Sequence, residues 1–89
     1  MDALNLTTWL LLARYNGMPV IPAKTVCEDF FEPLTYPKFL ERTGNGRIGL
    51  PIIKMYESQK APRYIHVRDL SEFLEEHMSN ARARIEGRD

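Results

Sequence analysis

An α+β fold is predicted for this 89-residue chain by three features: four stretches with apolar residues at helical spacing, two β-type runs on either side of a polar tip, and proline or glycine at most of the junctions. The stretch that organises the rest runs from Thr35 to Arg63. Thr35 is placed to cap a helix, Pro37 falls in the first turn where its missing N–H costs nothing, and Gly44 or Gly46 can supply a left-handed stop. In the helix of roughly ten residues so bounded, Phe39, Leu40 and Thr43 point one way, while Lys38 and Arg42 stack one turn apart on the other side. A β-type run from Ile48 to Met55, a polar tip from Glu57 to Arg63 and a second run from Tyr64 to Val67 then predict a basic hairpin. Helix, tight corner and hairpin read as a winged helix-turn-helix with an extra N-terminal helix, residues 1–89 forming a single DNA-binding domain.

The extra helix is expected from Leu4 to Tyr15, with Gly17 where it would end. Leu6, Trp9, Leu10 and Ala13 suit one face, and Leu11, Leu12 and Tyr15 widen the apolar surface. A chain of this size buries only about 60–70% of its unfolded surface, so some of these side chains are expected to meet another molecule. Leu6, Trp9, Leu11, Leu12 and Tyr15 are therefore the candidate interface of a homodimer. From Gly17 to Pro22 two prolines bar a helix and predict a connector, with Pro22 opening the next helix. That helix, Ala23 to Phe31, carries Val26, Cys27, Phe30 and Phe31 on one buried face, and Glu32-Pro33-Leu34 turns the chain, Leu34 plugging the corner. Beyond the hairpin, Asp69 and Glu72 fit a capping pair for a last helix whose stripe of Leu70, Phe73, Leu74, His77 and Met78 should pack behind the hairpin. Residues 79–89 are expected to form a frayed or disordered tail.

Charge is balanced overall, with twelve basic and twelve acidic residues, but it is unevenly distributed. Tyr36 to Arg68 holds seven basic residues against Glu41 and Glu57, while the segments before and after are both net acidic. A cationic middle third can neutralise phosphates. The candidate DNA-binding residues are Thr35, Tyr36, Lys38 and Arg42 on the helix, Arg47 at the corner, Lys54 on the first strand, and Ser58, Gln59, Lys60 and Arg63 at the tip. The tip brings together hydroxyl, amide and cationic groups, the types that contact phosphate and sugar. Glu72, Glu75 and Glu76 offer phosphates a poor surface, so the DNA face should lie away from the last helix.

No catalytic constellation is evident, and neither a metal nor a cofactor is expected. His66 and His77 are the only histidines, and neither has a second ligand at metal spacing. Gly44, Gly46 and Gly49 spell a dinucleotide-binding fingerprint, but a helix precedes them and Leu50-Pro51 follows, where that motif needs a strand and then a helix. Cys27 stands alone, so no internal disulfide can form, and its apolar neighbours mark it as a small buried hydrophobe in a reducing compartment. No apolar run approaches the roughly 20 residues of a membrane span, and no secretory signal opens the chain, which together predict a cytoplasmic protein with no membrane partner.

Trp9-Leu-Leu-Leu-Ala-Arg-Tyr-Asn-Gly, then Val20-Ile-Pro, Val26-Cys-Glu-Asp-Phe-Phe, Lys38-Phe-Leu, Ile48-Gly-Leu-Pro, Ser58-Gln-Lys-Ala and His66-Val-Arg-Asp-Leu occur in that order. Through these landmarks nearly the whole chain resembles the pyocin transcriptional activator family of PrtN-like proteins from bacterial chromosomes and prophages. The resemblance implies a small, sequence-specific activator of bacteriocin or prophage genes. Such a protein acts on double-stranded promoter DNA after a DNA-damage signal removes its repressor, with RNA polymerase or a phage repressor as candidate partners. The order of elements is also similar to excisionase and MerR-type winged helices, which implies an architectural DNA-binding protein instead. A protein-binding antirepressor or inhibitor is the reading from a different class, supported by the apolar N-terminal helix and the neutral charge.

Overall fold

The computed structural model describes residues 5–87. Their elements run α1 (Leu6–Arg14), β1 (Val20–Pro22), α2 (Ala23–Phe30), α3 (Tyr36–Gly44), β2 (Ile53–Lys54), β3 (Arg63–His66) and α4 (Val67–Glu86), an α+β arrangement as expected. Leu4, the expected start of the first helix, lies outside the described residues. The helix begins at Leu6 because the Asn5 side chain accepts a hydrogen bond from the Thr8 N–H at 2.8 Å. It ends at Arg14, where Asn16 and Gly17 both take positive φ and the Gly17 N–H reaches back to the Leu12 carbonyl at 2.6 Å. The left-handed stop thus begins one residue before the expected glycine.

The segment expected to be a connector is partly a strand. β1 pairs antiparallel with β3, Ile21 opposite Ile65 and Pro22 opposite Tyr64, in a sheet of order β1-β3-β2. Two prolines exclude a helix but not an edge strand, where a missing N–H has no ladder to break on its outer side. The hairpin itself is short: Ile53 pairs with Tyr64 and Lys54 with Arg63, so only two residues of the expected run from Ile48 to Met55 are strand. A hairpin this small is marginal alone in water, and β1 supplies the third strand that holds it.

β3 passes into α4 with no loop between them. The His66 ring accepts the Arg68 N–H at its Nδ1, at 3.0 Å, and caps the helix, while the Val67 N–H donates to the Pro19 carbonyl at 2.8 Å. Asp69, expected in the capping pair, lies instead in the first turn, where its carboxylate favours the helix N-terminus. The helix then runs through residues 79–86 of the stretch expected to fray, exposed along that length. Arg88 and Asp89 lie outside the described residues.

The core gathers Leu11 from α1 and Tyr15 just after it, Ile21 from β1, Val26 and Cys27 from α2, Phe39 from α3, Leu50, Ile65 from β3, and Val67 and Leu70 from α4. Phe31, Leu34, Phe73 and Leu74 pack against it, but Phe30 faces outward, because the buried stripe of α2 passes through Ala23, Val26 and Cys27. Leu11 and Tyr15, expected at a dimer interface, fill the chain's own core. α4 packs chiefly along α1 rather than behind the hairpin, and part of that seam is polar. The Thr8 hydroxyl donates to Ser71 Oγ at 2.7 Å, the Ser71 hydroxyl donates to Asn5 Oδ1 at 3.2 Å, and the Thr7 hydroxyl donates to the Glu75 carboxylate. Thr8 and Ser71 are both buried, so each needs this partner to offset its lost hydration.

Candidate nucleic-acid interface

α3 divides its residues cleanly between inside and outside. The Thr35 side chain accepts from the Lys38 N–H, Pro37 occupies the first turn, and the chain leaves the helix through Asn45 and Gly46, the latter at φ +83°. Phe39 is wholly buried, with its ring 4.9 Å from that of Phe31. Leu40 is half-buried, and the Thr43 hydroxyl donates to the Leu40 carbonyl at 3.0 Å. Lys38 and Arg42 stand exposed on the other side, Lys38 forming an exposed pair with Glu41 at 3.8 Å that contributes little. Tyr36 packs against the core with part of its side chain, and Thr35 caps the helix while remaining exposed.

The hairpin loop is organised by hydrogen bonds within itself. Ser58 Oγ accepts the Lys60 N–H at 3.1 Å, the Ala61 N–H donates to the Ser58 carbonyl at 3.2 Å, and the Arg63 guanidinium donates to the Gln59 carbonyl at 3.4 Å. Gln59 and Lys60 remain exposed, and Lys54 faces out from the strand opposite Arg63. The candidate residues therefore fall into two groups on separate elements, Lys38 and Arg42 on α3 and Lys54, Gln59, Lys60 and Arg63 on the hairpin.

Arg47 joins Arg42 in a setting that the sequence did not show. A cleft of about 560 Å³ opens between the end of α3, the turn after α2, the glycine corner and α4. Phe31, Leu34, Ile48 and Phe73 form its apolar lining, and Arg42, Arg47 and His77 add cationic or polar groups. The His77 ring lies 4.2 Å from that of Phe73. Phe73 and His77 were legible as part of a helix stripe, but nothing in their spacing pointed to a corner some thirty residues earlier.

Two titratable groups are shifted by their surroundings. Burial, and then the hydrogen bond to Asp29, push the Tyr15 hydroxyl up to about 12; that hydroxyl donates to Asp29 at 2.5 Å and so fastens α1 to α2. Burial also pushes the Cys27 thiol up, with Glu28 and Glu32 adding to the effect, and the thiol donates to the Leu34 carbonyl at 3.4 Å. A raised thiol beside two acids is the opposite of a reactive cysteine. Among the described residues no group of three His, Cys, Asp or Glu side chains is placed to hold a metal ion, and no helix is long and apolar enough to cross a membrane.

A small α+β framework that shows cations on one short helix and on an adjoining hairpin defines a class compatible with helix-turn-helix regulators. The family model described as "Pyocin activator protein PrtN" matches residues 7–81, and the chain belongs to that family. Neither the curated proteins nor the solved structures gave a match.

Proposed function

We propose that this protein is a DNA-binding transcriptional activator of pyocin genes, built as a winged helix-turn-helix and working in the bacterial cytoplasm. The observation that carries the reading is the partition of α3, with Phe39 wholly buried and Lys38 and Arg42 exposed on the outer face. Membership in an activator family supports it. α2 and α3 form the two-helix unit, Phe31 and Leu34 pack the corner between them, and the hairpin of β2 and β3 is the wing, steadied by β1. A helix fits the major groove, and Arg42 has the length and the planar fork to reach a guanine edge. Gln59, Lys60 and Arg63 at the tip contact the phosphate backbone, which positions the protein without reading sequence.

A mobility-shift titration on duplex from a pyocin promoter, repeated over a range of salt, tests this. Arg42→Ala should weaken cognate binding by about 1–3 kcal/mol and flatten the preference for cognate over random duplex. Lys60→Ala should weaken binding to every duplex alike and reduce the salt slope by about one unit. A protein with no affinity for duplex at low salt would overturn the reading.

The outer face of α1 supports a homodimer. Leu6, Trp9 and Leu10 remain 71, 58 and 60% exposed, and Leu12 is half-buried. A two-fold pair through this face would cover them and double a short helix's footprint over paired half-sites.

A further inference from the structure

We propose that the cleft between α3, the glycine corner and α4 is a docking site for an acidic protein segment that carries a large apolar side chain. The lining is the first reason. Phe31, Leu34, Ile48 and Phe73 each pack on the core with part of the side chain and leave the rest at the cleft. A volume of about 560 Å³ accepts one or two bulky side chains. Phosphate and sugar gain nothing from such a surface, whereas a leucine or phenylalanine placed there removes apolar area from water on both partners.

Charge is the second reason. Arg42 comes from the last turn of α3 and Arg47 from just beyond Gly46, so the turn at Gly46 sets both residues in the lining of one cleft. Neither meets an acidic side chain among the described residues, where the ion pairs are Arg14 with Asp29 and Lys38 with Glu41. Two uncommitted guanidiniums beside an apolar surface select carboxylates flanking an apolar anchor, since each planar fork takes a carboxylate by paired hydrogen bonds. The cleft is open rather than enclosed, which admits a chain passing through it and gives little cover to a small molecule. Docking goes beyond the DNA reading and does not depend on it. Where Arg42 also meets DNA, one guanidinium serves both ligands and an occupied cleft competes with duplex.

Fluorescence anisotropy tests the site, using the full chain and a short fluorescein-labelled synthetic peptide with a central Phe-Leu pair between runs of Asp and Glu. Saturable binding is expected, at least about tenfold weaker when Phe-Leu becomes Ser-Ser or when the acids become Asn and Gln. Arg47→Glu should weaken it by about tenfold or more, while Lys24→Glu, an exposed charge reversal on α2, should leave it within about twofold. Both positions are exposed, and an unchanged circular dichroism melt confirms that each variant folds. Absence of saturable binding, equal binding of the Ser-Ser peptide, or equal losses in the two variants overturns the proposal. Self-association that Arg47→Glu abolishes would give the cleft to a second copy and overturn it too. Duplex binding is measured separately, so a protein that binds the peptide but not DNA sinks only the DNA reading.

Discussion

α1 and α3 are each nine residues long, and each is capped by a side chain that accepts a backbone N–H, yet they partition their residues in opposite ways. α3 buries Phe39 and shows Lys38 and Arg42 to solvent; α1 buries Thr8 as well as Leu11 and shows Leu6, Trp9 and Leu10. Hydrophobic burial can hold α3. α1 is held by a mixture, with Leu11 inside, the Thr8–Ser71–Asn5 hydroxyl and amide chain along α4, and the Tyr15–Asp29 bond to α2. Hydrogen bonds fix α1 in a direction that its hydropathy alone would not choose. Its outward apolar surface is therefore not a failure to fold but a face available to something else.

The sharpest break of this contrast pairs Phe39→Ala with Trp9→Glu. Phe39→Ala should cost about 3–5 kcal/mol in chemical denaturation, because a fully buried ring leaves a cavity. Trp9→Glu should move monomer stability by only about 0.5 kcal/mol, as an exposed position does, while sedimentation at micromolar concentration should show a pair reduced to single chains. Wild-type protein that already sediments as a monomer of about 10 kDa would remove the pair and leave the stability contrast standing.

Alkaline pH gives a smaller effect confined to α1. The Tyr15 hydroxyl, ordinarily near 10, is held up to about 12 in the fold, so the folded state keeps a proton that the unfolded chain has lost. The associated stability is complete below pH 10 and is lost as pH rises towards 12, amounting to at most about 3 kcal/mol and less to the extent that solvent screens the hydroxyl. Melts of Tyr15→Phe against wild type across that range should show the wild-type loss and a flatter mutant. Parallel curves would mean that the hydroxyl is not protected. Smallest is Thr8→Val, which keeps the volume and removes the donor to Ser71. Denaturation should report a loss of about 1 kcal/mol, and a gain would show that the polar seam costs more than it holds.

How much of this could be read beforehand follows the range over which each feature is determined. The bounds of α2 and α3 were legible because Pro22, Thr35, Pro37 and Gly46 act within a turn of themselves. β1 was not, since three residues become a strand only by meeting residues 64–66, far along the chain. The Asp69 and Glu72 pattern pointed to a cap three residues late, because His66 caps through its ring, a role that its place in a β-type run concealed. Leu11 and Tyr15 were assigned to a partner because apolar residues surrounded the helix. Thr8 and Ser71, two ordinary hydroxyls in sequence, are bonded to each other on the side that faces in, together with Leu11 and Tyr15. For the candidate site, the cationic face of α3 was legible from Lys38 and Arg42 four residues apart, whereas the cleft they border needs Phe73 and His77 from another helix.

The absence of any loop between β3 and α4 has a mechanical consequence. A strand that becomes a helix within one peptide, with His66 closing the first turn and Pro19 gripping Val67, leaves no compliant joint between the hairpin and a rod about 30 Å long. A load on that rod cannot be absorbed by a slack linker and is shared between β3 and the seam with α1, the elements to which it is fastened. Hairpin and helix therefore tilt together as one body rather than about a joint between them.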